Sequence, residues 1–353
     1  MEFICDMLAS RVVFGVGSLK RLPEELDRLS LSRVLVFSTP EQRDHAEQVV
    51  ALIGSRAAAV FDRAVMHVPT ETQSLALAEV KRLGVQGGIA IGGGSTTGLC
   101  KALALEMDFP FVAIPTTYAG SEMTPIWGLT AEGAKRTGRD ARVRPRTVIY
   151  DPTLTLSLPV QLSGTSGMNA IAHCVEALYA ENANPVASLM AEEGIRVLAQ
   201  NLPRIAHSPA NLEVRTEALY GAWLSGVALG SVGMALHHKL CHVLGGSFNL
   251  PHAETHTIVL PHAAAFNLPV TPEAHARTAR ALGADEPAQA LYDLLISLGA
   301  PPALKNLGMK ETDLDRAAQL ATRDPYYNPR PVTEPVIRTL LDNAYHGRRP
   351  TPL

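Results

Sequence analysis

The chain has no run approaching the roughly 18 consecutive apolar residues that a membrane-spanning helix needs, so no such helix is expected. Its opening Met-Glu-Phe-Ile-Cys-Asp has no basic segment followed by a long apolar one, so no signal peptide is expected either. Cysteine is scarce: Cys5, Cys100, Cys174 and Cys241 are the only four, and no two stand as Cys-x-x-Cys. That argues against a zinc knuckle or a redox dithiol, and free thiols with no targeting segment point to the cytoplasm. No long Lys/Arg block occurs and the formal net charge is −3, which argues against nucleic-acid binding. Tandem repeats and low-complexity segments are absent too. One local excess of positive charge stands out: Lys135, Arg136, Arg139, Arg142, Arg144 and Arg146. It reads either as a solvated face or as a surface that attracts a small polyanion.

At 353 residues, 46% hydrophobic and 18% charged, the chain is long and apolar enough for two domains, each with its own core. Residues 1–155 alternate short β-rich runs with helical ones, the pattern of parallel βαβ units. Strands are expected at Arg33–Ser38, Ala58–Phe61, Gly87–Gly92, Phe111–Pro115 and Thr147–Asp151. Helices are expected from Pro40 to about Ile53, over Thr70–Leu83 with Thr70 as cap, and over Leu99–Leu105. From Pro159 the periodicity is helical almost throughout, so residues 156–353 form an all-helical domain. Its helices are expected at Ser166–Ala180, Val186–Asn201, Leu212–Ser231, Met234–Leu244, Pro272–Leu282, Glu286–Leu298, Glu311–Thr322 and Glu334–Tyr345.

Two stretches carry chemistry. The first is Gly92-Gly93-Gly94-Ser95, between a strand and a helix. Glycines let a backbone approach a phosphate, and the unpaired N–H groups of the following helix favour negative charge. The turn is neither a Walker motif nor a Gly-x-Gly-x-x-Gly fingerprint, so a phosphate cradle and a plain tight turn are both open. Thr116-Thr117-Tyr118, at the carboxyl end of the Phe111–Pro115 strand, lies where a doubly wound sheet holds its ligands.

The second stretch holds His237, His238, His242 and His252, in a chain with twelve histidines. His238 and His242 stand four apart and share a helical face. Pro251 ends that helix and turns His252 back from a loop towards the same point. Asn169, His173 and Glu176 form another helical stripe. Packing alone seldom requires so many titratable rings, and His173, His238, His242 and His252 are expected to converge on one cavity. His237 and His262, taken singly, read as structural.

Gly92-Gly-Gly-Ser95, Ile114-Pro-Thr-Thr117 with Gly120-Ser-Glu122, Asp151-Pro152, Gly167-Met-Asn-Ala170 with His173, and His238-x-x-x-His242 with Pro251-His252 together resemble the iron-containing (group III) alcohol dehydrogenase family. The resemblance implies an N-terminal dinucleotide-binding α/β domain, a helical C-terminal domain, a cleft between them and commonly a homodimer, an architecture shared with dehydroquinate synthase. The family's metal site is one Asp and three His; the matching positions here are Asn169, His173, His238 and His252. His242 matches a histidine beside the nicotinamide. Asn169 departs from the pattern, and a neutral amide is a weaker ligand than a carboxylate. Asn169 with His173, the sequence His252-Ala-Glu-Thr-His256, and Gly98 where the family often has Asp resemble its maleylacetate reductase branch. That branch reduces maleylacetate to 3-oxoadipate with NADH or NADPH, late in bacterial degradation of aromatic and chloroaromatic compounds, and is regarded as needing no metal.

The expected assignments follow from these readings. Gly93, Gly94 and Ser95 hold the pyrophosphate, and Thr116 and Thr117 a ribose or the nicotinamide side. Ser38 and Thr39 stand where an acid would repel a 2′-phosphate, so both nucleotides are expected to be accepted. His238, His242 and His252 surround the oxygen that gains charge, while Asn169 and His173 orient substrate or neighbouring rings. Lys135 and Tyr118 contact a small dicarboxylate substrate. No metal is expected; the alternative is an alcohol or aldehyde dehydrogenase using iron or zinc, with Glu176 or water replacing the missing ligand. A lyase of the dehydroquinate-synthase type and a non-catalytic binding protein are further readings.

Overall fold

The computed structural model describes Phe3, Cys5, residues 11–131 and residues 134–352. The side chains of Ala134 and Lys135 also lie outside the described set. The chain divides into two compact units, Leu8–Leu158, and Pro159–Leu353 together with Met1–Met7.

The first unit contains strands β1 (Arg11–Phe14), β2 (Val34–Phe37), β3 (Ala57–Phe61), β4 (Gly87–Gly92), β5 (Phe111–Pro115) and β8 (Thr147–Tyr150), with helices α1 (Leu22–Arg28), α2 (Arg43–Ile53), α3 (Thr70–Leu83) and α4 (Gly94–Glu106). These six strands form one sheet in the order β1-β8-β5-β4-β2-β3, and every pair is parallel. Parallel strands covered on both faces are expected to be apolar throughout. β2, β4, β5 and β8 are buried at every position, with Val34, Val36, Ile89, Ile91, Val112, Ile114 and Ile149 in one apolar cluster with Leu22, Leu26 and Val49 of the helices. The chain leaves β2 towards β3 and leaves β4 in the opposite direction, towards β5. The carboxyl ends of β2 and β4 therefore flank a topological switch point, where such sheets take ligands.

Several expectations need correction. β1 is not among the expected strands; it is four residues long, with only Val13 buried, and so short an apolar run does not stand out. A two-stranded antiparallel hairpin, β6 (Ile126–Ala131) with β7 (Ala134–Arg139), holds the first part of the charged run. β6 is half-buried along its length, which blunts the apolar alternation, and Arg136, Thr137 and Arg139 of β7 are exposed. Thr70 does not cap α3: Pro69 holds that position, and the Thr70 carbonyl accepts a hydrogen bond from Ser74 Oγ at 2.9 Å. α4 begins at Gly94, five residues earlier than expected, so the glycine turn runs directly into it.

The second unit is all helical: α5 (Val160–Leu178), α6 (Pro185–His207), α7 (Leu212–Ser231), α8 (Leu236–Phe248), α9 (His252–Asn267), α10 (Pro272–Leu282), α11 (Pro287–Ser297), α12 (Leu314–Arg323) and α13 (Glu334–His346). α5 is its axis, buried from Ser163 to Leu178 and packed by α6, α7 and α9. Gly167 makes that close packing possible, because a Cβ there would come within 2.4 Å of the Leu202 side chain. α8, α9, α12 and α13 enclose a second cluster built on Leu240, Leu244, Ile258, Phe266, Leu314, Ile337 and Leu341. Among the described residues no single helix is long and apolar enough to cross a membrane.

α9 replaces the loop expected after Pro251. Pro251 sits at the N-cap, where a missing N–H costs nothing, and Pro261 is absorbed inside the helix. His252 is therefore the first residue of a helix rather than part of a loop.

Candidate active site

The glycine turn lies at the switch point. Gly92 has φ +144°, and a Cβ on it would lie 2.5 Å from Gln42 Oε1 and 2.6 Å from Thr96 Oγ1. Only glycine meets both demands. Nothing lies within 4 Å of a Cβ built on Gly94, and no side chain caps α4. The N–H groups of that first turn have no acceptor within the helix, which suits a phosphate. The Thr116 backbone N–H donates to the Gly92 carbonyl at 3.1 Å, and Gln42 Nε2 donates to Thr116 Oγ1 at 2.6 Å. Thr117 Oγ1 lies 3.0 Å from where a Gly93 Cβ would stand. Ser38, at the end of β2, is buried, and its Oγ has no hydrogen-bond partner among the described residues. The structure thus groups Gly93, Gly94, Ser95, Thr116 and Thr117 and sets Ser38 at the end of the neighbouring strand. Tyr118 is wholly buried in the loop after β5. Of the cationic run, Arg136, Arg142 and Arg146 are exposed, and Arg142 pairs with Asp140 at 2.7 Å. That favours the solvated-face reading for this part of the run; the Lys135 side chain lies outside the described residues.

The histidine side belongs to the helical unit. Glu176 on α5 is wholly buried, and its carboxylate accepts the backbone N–H of Ala235 at 2.9 Å and of His237 at 2.7 Å. It thereby supplies the cap that Ala235, the N-cap residue of α8, cannot. Negative charge at a helix N-terminus is favourable. The same carboxylate lies 2.7 Å from His238 Nδ1. His238 stacks on His173 with centroids 5.1 Å apart and meets His242 edge-on at 6.2 Å. His252 and His256, four apart on α9, have centroids 4.3 Å apart, and His256 lies 5.1 Å from His238. His237 Nε2 is 2.9 Å from His256 Nδ1. Six imidazoles thus form one continuous assembly with Glu176 beneath it.

His237 and His256 were not anticipated as members. His237 was weighed alone, yet it stands four residues before Cys241, whose Sγ is 3.7 Å from its Nε2. The pairing of His252 with His256 emerges once α9 is recognised as a helix. Burial, and then the neighbouring imidazoles, hold His173, His237 and His256 well below the ordinary histidine pKa, so these rings are neutral at pH 7.

The donor set at the family's metal positions can be judged directly. Asn169 is buried, and its Oδ1 has no hydrogen-bond partner among the described residues, nor do His173 Nδ1 and His238 Nε2. Among the described residues, the sets of at least three His, Cys, Asp or Glu whose ligand atoms all lie within 4.8 Å of one another are His237, Cys241 and His256, and Glu311, Asp342 and His346. His173, His238 and His252 do not form such a set. Glu176 is engaged elsewhere, its oxygens accepting the Ala235 and His237 N–H groups and facing His238 Nδ1. These residues do not fit a divalent ion bound through a carboxylate and three imidazoles.

The profile described as iron-containing alcohol dehydrogenase matches residues 9–152, and that of the Fe-containing alcohol dehydrogenase family, C-terminal, matches residues 163–345. The chain belongs to the iron-containing alcohol dehydrogenase family. Within it, the chain is 57% identical to the maleylacetate reductase of Pseudomonas sp. (strain P51) over 352 residues, covering 100% of both chains. The crystal structure of maleylacetate reductase from Agrobacterium tumefaciens matches with a TM-score of 0.94 at 48% identity, covering 99% of this chain and 100% of that one. The crystal structure of the enzyme from Rhizobium sp. strain MTP-10005 matches with a TM-score of 0.93 at 50% identity, covering 99% of each chain. The parallel α/β unit and the helical unit are those of the family.

Proposed function

We propose that this chain reduces the C=C bond of maleylacetate to give 3-oxoadipate, using NADH or NADPH and no metal. Full-length likeness to maleylacetate reductases supports the substrate assignment. The observation that carries the metal-free chemistry is Asn169: a neutral amide stands where the family has its carboxylate ligand, beside histidines that do not form a metal-sized set with a carboxylate.

Bound reduced nicotinamide supplies the hydride. The substrate's alkene is conjugated to its ketone, so hydride arriving at the alkene carbon β to the ketone drives charge onto the ketone oxygen. The residues then have two tasks, holding the enolate and protonating it. Imidazole N–H groups in a buried assembly stabilise that oxygen more than water would, because they are already oriented. His238, His242 and His252 perform this role. His238 is the proton donor in this reading, because Glu176 Oε2 at 2.7 Å from its Nδ1 orients the ring and leaves Nε2, without a partner among the described residues, to serve the substrate. Asn169 and His173 orient substrate and rings. A carboxylate at position 169 would repel the enolate; the amide does not.

On the nucleotide side, Gly93, Gly94 and Ser95 hold the pyrophosphate, and Thr116 and Thr117 hold the ribose or nicotinamide. Ser38 and Thr39 leave room for a 2′-phosphate. Kinetics with NADH and NADPH in parallel test this: constants within roughly tenfold are expected, and a preference of several hundredfold contradicts it.

The chain acts as a homodimer in the cytoplasm in this reading, consistent with four free cysteines. Light scattering on the purified protein should give twice the chain mass; the mass of a single chain overturns the dimer.

A further inference from the structure

Lys101 lies on α4, two turns beyond the glycine cradle, and is 1% exposed. A buried ammonium needs compensation; burial draws the pKa of this one down to about 7 against the pull of Glu122, and five oxygens surround it. Nζ donates to the carbonyls of Ser121 at 2.6 Å, Ile126 at 2.7 Å and Thr124 at 2.9 Å, with Thr124 Oγ1 at 3.0 Å and Ser121 Oγ at 3.3 Å beside them. All five oxygens belong to one short segment, the far end of the loop that leaves β5. The near end of the same loop is Thr116 and Thr117, held to Gly92 by the Thr116 N–H and to α2 by Gln42. Glu122, buried among these residues and accepting the Tyr150 hydroxyl at 2.7 Å, lies within electrostatic reach of the ammonium.

We propose that Lys101 is a positioning residue for the nucleotide: its ammonium locks the loop 116–126 to α4, so that the glycine cradle and the two threonines present one rigid surface. The proposal rests on the reading of Gly93, Gly94, Thr116 and Thr117 as nucleotide contacts. Lys101 itself touches neither nucleotide nor substrate. Its removal takes a donor from three carbonyls, of which that of Ser121 keeps the Thr124 N–H and hydroxyl, and frees the far end of the loop, while the histidine assembly, built on the other unit, keeps its composition. The expected signature is a loss in nucleotide binding with little loss in turnover at saturation.

The test compares wild type with Lys101→Met and Lys101→Ala, measuring the Kd of NADH and NADPH, the KM for each substrate and kcat. Losing charge-assisted bonds of this kind should raise nucleotide Kd and KM at least about tenfold. The KM for maleylacetate and kcat should stay within about threefold. Ammonium chloride, but not tetramethylammonium chloride at equal ionic strength, should restore part of the nucleotide affinity of Lys101→Ala. Folded variants that bind NADH as wild type does overturn the proposal, as does an equal loss of kcat with no change in nucleotide Kd. If neither variant folds, Ser121→Ala/Thr124→Val removes two of the five oxygens, and unchanged NADH affinity there overturns it as well. Failure of wild type to bind either nucleotide would instead refute the underlying assignment of the cradle.

Discussion

Glu176 Oε2 lies 2.7 Å from His238 Nδ1 and 2.9 Å from the Ala235 backbone nitrogen, so one buried carboxylate both starts α8 and orients its second histidine. Structure and chemistry are joined at that atom. Glu176→Gln keeps the volume but removes the charge that faces His238 Nδ1. It should lower kcat by roughly 30- to 100-fold, towards the lower end of what acid–base assistance contributes. Glu176→Ala should also destabilise the fold, because each N–H left unpaired at α8 costs about 1–3 kcal/mol. Steady-state kinetics and urea melts separate the two effects; an unchanged kcat in Glu176→Gln contradicts the pairing of roles.

Among single histidine variants, His238→Ala should fall furthest, by roughly 10²- to 10⁴-fold in kcat. His242→Ala and His252→Ala remove stabilising rings without the carboxylate-backed one, so their losses should be smaller. Nucleotide affinity, read by fluorescence titration, should be unchanged in His238→Ala. A larger loss in His242→Ala would transfer the donor role to that ring.

The buried histidines make stability depend on pH. Burial holds His173, His237 and His256 well below the ordinary value, and draws His262 down to about 4. The unfolded chain takes up protons near pH 6.5 while the folded chain does not. The stability these rings contribute is therefore complete above about pH 6.5 and is lost as pH falls below it. Each such ring costs up to about 1.4 kcal/mol per pH unit over that window. Urea midpoints at pH 7.5, 6.0 and 5.0 (about these settings) should fall steeply in the lower interval, and a flat profile contradicts neutral buried rings.

Gly92→Ala tests the nucleotide cradle. The new Cβ meets Gln42 Oε1 at 2.5 Å and Thr96 Oγ1 at 2.6 Å, at a φ of +144° that alanine avoids. The turn must shift, and nucleotide KM should rise about tenfold or more. Equal nucleotide KM values in variant and wild type would remove this turn from the binding site.

Much of this was legible beforehand for physical reasons. β4 and β5 were bounded correctly because buried parallel strands read as unbroken apolar runs with glycine or proline at their ends. Asn169, His173 and Glu176 announced themselves by helical spacing. β1 and the β6–β7 hairpin were not legible, because their half-exposed residues carry little periodicity. α9 was missed because local proline punctuation was given more weight than packing, and with it went His256. His237 has a different reason: its partner lies on another helix, and only tertiary structure brings its Nε2 to 2.9 Å from His256 Nδ1. Lys101 had no sequence signal at all; a lysine on an apolar helix face is informative only when its five oxygens are seen.

In the proposed reaction reduced nicotinamide supplies the hydride to the alkene, and Asn169 and the histidine assembly handle the resulting enolate without a metal. The measurement that tests it most directly is nucleotide oxidation, followed by absorbance, by chelator-dialysed protein offered maleylacetate with NADH and with NADPH. Turnover undiminished by dialysis, and unchanged by added iron or zinc, is the predicted result. Activity that vanishes on dialysis and returns with either metal would contradict it.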